Sequence, residues 1–210
     1  MHQGAFKECY RQVMDHVLLN MIFLVCVLLG AGITFGAAFK SLHYVAYKLA
    51  DKERHVAVFH DFWVAFKDDF FKSTLIWLAA VGTGFLLALS FYIAFTNHQL
   101  ILMISVIVTG TILILFLLYL YPVMAIFQSG SLRALFRNSF LIFAKNPVVS
   151  FFMLGSLAAV VCLFILFEGT ILVSIGLFAW LEARYLKPLF QPYIEALESE
   201  TSILNEEDIR

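Results

Sequence analysis

Charge is scarce in this chain, and the scarcity limits the class of protein it can be. Lys, Arg, Asp and Glu together make up 14% of the 210 residues, whereas a soluble domain carries about 25%. The formal net charge is −1, so the chain lacks the basic excess that attracts nucleic acid. Hydrophobic residues reach 62%. An ordinary soluble domain is therefore excluded, and no nucleic-acid partner is expected.

Cysteine is also rare, and its placement predicts neither a disulfide framework nor a zinc site. The three cysteines, Cys9, Cys26 and Cys162, form no CxxC pair. Cys26 and Cys162 lie within apolar runs, where a free cysteine behaves as a small hydrophobic residue. His55 and His60 miss the four-residue spacing that places two metal ligands on one helical face. No metal and no cofactor are expected.

What the chain does have is a series of long uncharged runs. Residues 73–99, 101–121 and 147–167 carry no formal charge. A helix rises about 1.5 Å per residue, so about 20 residues cross a hydrocarbon core of roughly 30 Å. The first apolar run, residues 17–39, is too long for the apolar part of a cleavable signal peptide. These runs predict an all-α, polytopic membrane protein.

We predict about five transmembrane helices in a single membrane domain over residues 1–192, followed by an acidic cytoplasmic tail over 193–210. The predicted spans cover residues 17–39, 74–95, 100–121, 147–167 and 170–186. Short turns separate the second span from the third and the fourth from the fifth. Each of these pairs must therefore form an antiparallel hairpin.

The distribution of Lys and Arg predicts the orientation in the membrane. Segments 40–72 and 128–146 carry most of the basic residues, and the two hairpin turns carry none. Because basic loops stay in the cytoplasm, the hairpins should point outward and the C-terminus should be cytoplasmic. Five crossings then place the N-terminus outside.

The first span has an alternative. Gly30, Gly32 and Gly36 interrupt it, and a broken or re-entrant hairpin over residues 17–49 would place the N-terminus inside. Against this, Lys40 would then be buried, and a charged side chain at the bilayer centre costs at least about 2.5 kcal/mol. A simple crossing over 17–39 is therefore the favoured prediction.

Two similar stretches precede the two hairpins. Residues 66–70 and 136–140 both read Phe, a basic residue, two polar residues and Phe. Apolar residues three and four positions apart share one helical face. This pattern predicts two amphipathic elbow helices in the cytoplasmic headgroup plane, each followed by a helical hairpin. The interfacial residues are Phe59, Phe62, Trp63, Phe66, Lys67 and Phe70 in the first helix, and Leu135, Phe136, Arg137 and Phe140 in the second.

Small residues in the apolar runs predict close helix packing. Glycine lets two backbones approach within a membrane, and the candidate packing positions are Gly32, Gly36, Gly82, Gly84 and Gly155. We expect packing within one bundle first and between two copies second. A membrane enzyme would normally show His, Asp or Glu clustered at one face. No such constellation stands out, so no catalytic residue and no enzymatic activity are predicted.

One stretch resembles a known family. The segment Gly32–Ala38, followed by Leu42–Tyr44 and then by Asp61–Lys67, resembles the YesL-like bacterial membrane proteins, whose domain has no known function. Many members have Pro where this chain has Ala37 or Ala38. Genes of this family often lie beside genes for carbohydrate uptake. The resemblance therefore implies a bacterial cytoplasmic-membrane protein that is accessory to carbohydrate transport, but it carries over no catalytic residue.

Two functions remain open from the sequence. The first is a non-enzymatic protein that associates with subunits of an ABC-type sugar transporter, with the lipid bilayer and a second copy of the chain as its other partners. The alternative is an autonomous small-solute transporter or channel. Its passage would be lined by the hydroxyl side chains of the apolar runs, namely Ser90, Ser105, Thr109, Thr111 and Ser174.

Overall fold

The structure is a computed structural model that describes residues 2–50, 56–127 and 131–207. All the regular elements within these residues are helical, which confirms the predicted all-α class. The α-helices are α1 (His2–Leu29), α2 (Phe35–Leu49), α3 (Val58–Lys67), α4 (Phe70–Thr96), α5 (Leu100–Ile126), α6 (Leu132–Lys145), α7 (Pro147–Leu166) and α8 (Ile171–Glu207), and a 3-10 turn at Glu168–Thr170 precedes α8.

Among the described residues, four helices contain a segment long and apolar enough to cross a membrane. The segments are Tyr10–Leu29, Phe70–Thr96, Leu100–Ile126 and Pro147–Leu166. The chain is therefore membrane-embedded, as its composition predicted. The predicted fifth span, 170–186, forms the start of α8. This span is not one of the four, and the first half of α8 carries Glu182, Arg184 and Lys187.

The first apolar run is not one helix, so the predicted uninterrupted span over 17–39 is wrong. α1 ends at Leu29, residues 30–34 form a turn, and α2 begins at Phe35. Ala31 and Gly32 adopt positive φ angles of 48° and 79°, which reverse the chain direction locally. The Thr34 hydroxyl donates a hydrogen bond of 2.7 Å to the Cys26 carbonyl and closes the end of α1. This break agrees with the alternative of a broken hairpin over 17–49.

Helix α2 is the centre of the bundle. It packs against α1, α3, α4, α5 and α8, and ten of its residues are buried, including Lys40 and His43. An added Cβ at Gly36 would overlap the Ser73 carbonyl of α4, so a glycine is required where these helices cross. Phe39 lies inside an aromatic cluster with Phe23, Phe35 and Tyr121.

Both predicted hairpins are present. α4 and α5 pack against each other and are joined by a short turn in which His98 has a φ of 53°. α7 packs against α8, and the Thr170 hydroxyl donates a hydrogen bond of 2.7 Å to the Phe167 carbonyl in the turn between them.

The α4–α5 hairpin is attached to the rest of the bundle mainly at one end. The buried residues at that end are Ser73 and Ile76 in α4 and the stretch Leu118–Ala125 in α5, while Ala94 is buried next to the turn that joins the two helices. Beyond that base, its large apolar side chains point outward; Phe85 is 70% exposed and Ile101 is 83% exposed. We refer to residues 78–117 as the arm.

The two elbow helices each have a buried stripe and an exposed aromatic stripe, so the single apolar faces predicted from sequence are split. In α3, Phe62 is buried while Phe59 and Trp63 are exposed. In α6, Leu135 is buried while Phe136 and Phe140 are exposed, as is Arg137. Phe66 and Phe70 are half-buried and touch each other, and Lys67 lies over the Trp63 ring at 5.5 Å.

The short repeated motif falls at different structural positions in its two copies. Residues 66–70 span the junction between α3 and α4, where Asp69 has a φ of 52°. Residues 136–140 lie inside α6, which continues to Lys145 before Pro147 starts α7. The order of one elbow helix followed by one hairpin nevertheless occurs twice, as α3–α4–α5 and α6–α7–α8.

The predicted acidic tail is not separated from the membrane domain by a break in the helix. α8 continues through Pro188 and Pro192 to Glu207, so the proposed boundary after residue 192 falls within a helix. Residues 208–210 of the predicted tail lie outside the described part of the chain.

Candidate functional site

The interior of this apolar bundle contains buried ionisable side chains, and they define the candidate site. Lys40, His43 and Glu182 are all at most 3% exposed. Burying such groups away from water is costly unless they are paired, and ionisable residues inside a membrane protein mark functional positions by default.

His43 of α2 and Glu182 of α8 form a pair. The Nε2 atom of His43 lies 3.2 Å from Oε2 of Glu182, and the side chains are 3% and 0% exposed. Neither oxygen of Glu182 has a well-aligned hydrogen bond to a described group, and neither has Nε2 of His43. The two side chains are therefore in contact without the alignment of a full hydrogen bond. Phe39 covers the imidazole edge-on, with 4.5 Å between ring centroids.

Two tyrosines of α5 border the pair. Tyr119 interacts electrostatically with Glu182, and its hydroxyl lies 3.0 Å from the Ser150 hydroxyl of α7. The Tyr121 hydroxyl is buried without a hydrogen-bond partner among the described groups, and the Tyr121 ring contacts Phe39 edge-on at 5.4 Å.

Lys40, one turn before His43, has a different kind of partner. Its ammonium group donates to the Asp68 main-chain carbonyl at 2.7 Å and to Oδ2 of Asp68 at 3.0 Å. Asp68 is 52% exposed on its side chain, so the lysine stem is buried while its charge meets a solvated carboxylate. This contact joins α2 to the corner between α3 and α4. It also removes the objection to burying Lys40 that favoured a simple crossing.

A third polar contact lies at the end of α2. Nζ of Lys48 is 3.2 Å from Oδ1 of Asp61 in α3 and 4.7 Å from the Tyr44 ring centroid. Burial disfavours the ammonium form, but the hydrogen bonds and charges of Tyr44 and Asp61 outweigh burial and raise the pKa of Lys48 above its usual value. Lys40, His43 and Lys48 thus hold α2 to three different parts of the bundle.

The crossing of α1 and α8 lies beside this core. Oδ1 of Asn20 accepts a hydrogen bond of 3.0 Å from the Gly176 amide. An added Cβ at Gly176 would come within 3.0 Å of the His16 carbonyl. Gly176 is not among the predicted packing glycines, although Ala179 follows it at helical spacing.

An apolar crevice opens between α2, α5, α7 and α8. It has a volume of about 350 Å³, and Phe39, Phe178 and Ser174 are among its lining residues. Phe39 and Phe178 each precede one member of the His43–Glu182 pair by one helical turn. The polar pair therefore lies one turn beyond the two aromatic side chains that line the crevice.

The predicted packing glycines have three different outcomes. Gly36 lies at a close helix crossing, and Gly32 lies in the turn before α2. Gly82, Gly84 and Gly155 have no atom within 4 Å of an added Cβ. These last three therefore have no close neighbour among the described residues, and their role in helix packing stays a prediction.

The hydroxyl side chains proposed to line a passage do not meet in one place. Ser90, Ser105, Thr109 and Thr111 lie on the arm, and each donates to the carbonyl four residues earlier in its own helix. Ser174 instead lines the crevice beside the core.

The sequence alone did not identify the His43–Glu182 pair. In the sequence, His43 falls within the segment Leu42–Tyr44 that resembles the family, and Glu182 is an isolated acid near the end of an apolar run. The signal available was a single acid inside an apolar run, which pointed to a partner without naming it.

Comparisons with known proteins agree with this description. A family model described as "Protein of unknown function, DUF624" matches residues 16–91, which include Lys40, His43 and Asp68. "Uncharacterized protein YteU" of Bacillus subtilis (strain 168) is 26% identical over 134 residues, and the match covers 60% of this chain and 60% of that protein. No solved structure matches the chain. Over residues 16–91 the chain is therefore similar to the DUF624 family, which confirms the resemblance to YesL-like membrane proteins of unknown function.

Proposed function

We propose that this chain is a non-enzymatic, multi-pass protein of the bacterial cytoplasmic membrane, and that it is accessory to carbohydrate uptake through association with an ABC-type sugar transporter. The observation that carries the proposal is the arm. Its two helices contact each other and join the bundle at one end, while most of their apolar surface contacts no other described part of the chain.

The length and surface of the arm suit a partner within the membrane. At about 1.5 Å per residue, α4 and α5 are each about 40 Å long, enough to cross the hydrocarbon core. Gly82, Gly84 and Gly110 leave open space on its surface, and small residues allow a second helix to approach closely. Lipid alone can also cover such a surface, so the experiment must separate lipid from a transporter subunit.

The broken first hairpin changes the topology that we propose. Tyr10–Leu29 is long enough to cross the membrane once, and α2 then turns back into the bundle. Together they place both ends of the first 50 residues on the same side. With basic loops inside, both the N-terminus and the C-terminus are cytoplasmic, in place of the outside N-terminus that a single crossing required.

We also propose that the start of α8 crosses the membrane, as the sequence predicted. The α7–α8 hairpin has a short turn, and Arg184 and Lys187 lie towards its cytoplasmic end. Long basic side chains at a helix end extend towards the headgroups. The exposed aromatic stripes of α3 and α6 then lie in the cytoplasmic headgroup plane.

Site-specific photo-crosslinking in native membranes tests the proposed partner. A photoreactive residue replaces Phe85 in the arm, and the matched control replaces Phe151 in α7; these side chains are 70% and 75% exposed. We expect an adduct with a transporter subunit from position 85 and lipid adducts alone from position 151. Lipid adducts alone from both positions would remove the support for an accessory role.

A second candidate function is autonomous transport of a small solute. The buried His43–Glu182 pair favours it, since such groups occur in proton-coupled carriers. Liposomes containing only this protein would be tested for flux of a broad panel of sugars, with and without a proton gradient. Flux above that of empty liposomes would favour the carrier, whereas no flux for any solute would exclude it.

A further inference from the structure

Glu182 is the carboxyl group with the least access to water among the described side chains. Its side chain is 0% exposed, and its oxygens lack a well-aligned hydrogen bond. By contrast, Asp61, Asp68 and Asp69 each retain some exposure, and each has a Lys partner within 3.2 Å. A buried carboxylate with unsatisfied lone pairs is costly, and each unsatisfied polar group in a native interior needs an explanation.

His43 is the group that lies close enough to Glu182 to satisfy its carboxyl group. A carboxylate and an imidazolium in a dry interior would each lose hydration worth several kcal/mol. The unaligned contact at 3.2 Å does not offset that loss, since neither oxygen of Glu182 nor Nε2 of His43 has an aligned hydrogen bond to a described group. A protonated carboxyl beside a neutral imidazole has no net charge and needs one acceptor, and Nε2 of His43 lies within reach.

We propose that Glu182 and His43 form a buried proton-binding site between α8 and α2. One proton from solvent binds to the Glu182 carboxylate, a new O–H bond forms, and that hydroxyl donates to the neutral Nε2 of His43. Releasing the proton leaves a bare carboxylate between the two helices. Proton binding therefore favours the packed arrangement of α2 against α8, and proton release opposes it.

Among the residues that the structure describes, the charged and titratable groups on the surrounding elements do not offer Glu182 a second counter-ion. Lys40 is paired with Asp68, Lys48 with Asp61, and Lys72 with Asp69. The Arg184 guanidinium stacks over the Trp180 ring at 4.9 Å. Further titratable groups nearby include His16 of α1, which contacts the Gln12 carbonyl and the Trp180 ring, and Tyr119 and Tyr121 of α5. They also include Lys187 of α8, which donates to the Ala50 carbonyl at 3.5 Å.

Of these groups, Tyr119 has an electrostatic interaction with Glu182. A tyrosinate at this position would repel a carboxylate, and a neutral phenol cannot neutralise one. The surroundings therefore leave the proton itself as the group that neutralises Glu182. This inference does not rest on the proposed transporter partner, because it concerns contacts within a single chain.

A neutral Glu182 also bears on the proposed crossing by α8. With the proton bound, residues 171–188 keep only Arg184 and Lys187 as charges, and both lie towards one end. A segment with charges only at its end can enter the bilayer more readily than one with a charge at its middle.

Infrared spectroscopy of the purified protein in a detergent without ester groups tests the proposal directly, because lipid ester carbonyls absorb in the same region as a protonated carboxyl. A protonated carboxyl gives a carbonyl band separate from those of ionised carboxylates. Exposed Asp and Glu titrate near pH 4 (about 3.9 and 4.3) and give no such band at pH 7. We expect the wild type to show one at pH 7, Glu182→Gln to lack it, and Glu195→Gln, a change at an exposed acid of the same helix, to keep it.

His43→Phe tests the second half of the site. Loss of the acceptor should shift the carbonyl band to higher frequency, because its O–H group is no longer hydrogen-bonded to the imidazole. An unshifted band would overturn the role of His43. Absence of a protonated-carboxyl band from the wild type at pH 7 would overturn the proposal without any variant, so the test does not depend on whether Glu182→Gln folds. A failed search for a transporter partner would leave this result unchanged.

Discussion

The central helix α2 and the arm both consist largely of apolar residues, but α2 is surrounded by other helices of the chain whereas most of the arm is not. α2 is buried on nearly all sides, and Lys40, His43 and Lys48 attach it to three separate elements. The arm is attached at its base and presents its side chains outward. Substitutions in α2 should therefore act through contacts with the protein, whereas substitutions in the arm should act through whatever surrounds the protein.

The largest expected effect comes from removing the counter-ion of Lys40. Asp68→Ala leaves a buried ammonium group with a main-chain carbonyl as its remaining acceptor. Because the ammonium group is buried while Asp68 is half-exposed, the loss should be about 3 kcal/mol, at the low end of the range for buried ion pairs. Denaturant titration in detergent micelles measures the free energy of unfolding. The double variant Lys40→Met/Asp68→Ala should recover much of the loss, because it removes the buried charge as well. Equal stability of Asp68→Ala and wild type would show that the pair does not hold α2.

Lys40 also shows why the sequence predicted the class of the protein more successfully than its first hairpin. Span length and missing charge are local properties, so the all-α class and the two later hairpins could be predicted. Whether Lys40 can be buried depends on its contact with Asp68, which is 28 residues away, and no local sequence pattern predicts that the two are paired. The same holds for the pair of His43 and Glu182, because these two residues lie on helices near opposite ends of the chain.

The turn after Leu29 could not be predicted from the sequence for a related reason. Residues 17–39 are apolar throughout, and hydropathy cannot distinguish a single span from a helix followed by a turn and a second buried helix. The glycines at 30, 32 and 36 did raise the alternative. The simple crossing was nevertheless favoured, because the partner of Lys40 cannot be seen in the sequence and burying an unpaired lysine is costly.

A smaller loss is expected where α2 crosses α4. In Gly36→Ala, the added methyl group would overlap the Ser73 carbonyl and come within 2.8 Å of the Trp77 Cβ, so the two helices must move apart. Overpacking of this kind costs about 2 kcal/mol. The same denaturant titration measures the loss, and the Nε1 hydrogen bond of Trp77 to Gly32 (3.0 Å) should weaken with it. A shift in tryptophan fluorescence reports that change. Wild-type stability in this variant would contradict the close crossing.

Two tyrosines of α5 should respond in opposite directions. Tyr121→Phe removes a buried hydroxyl that has no described partner and should raise the free energy of unfolding by about 1 kcal/mol. Tyr119→Phe removes the 3.0 Å contact with Ser150 and should lower it by about 1 kcal/mol. Each variant serves as the control for the other. Destabilisation by both would mean that the Tyr121 hydroxyl has a partner in the membrane.

The smallest effect on stability is expected in the arm, where Gly82→Ala makes the same substitution as Gly36→Ala. In Gly82→Ala the added methyl group meets no atom within 4 Å, and replacing an exposed helical glycine with alanine should stabilise the purified protein by at most about 1 kcal/mol. The bulkier Gly82→Leu should leave the purified protein folded but reduce crosslinking of the arm to a transporter subunit, because it fills the space a partner helix needs. Gly155→Leu on α7, where the space is equally open, should leave that crosslinking unchanged. If Gly82→Leu and Gly155→Leu have the same effect, the arm is a lipid-facing surface like α7 and its open glycines do not receive a partner.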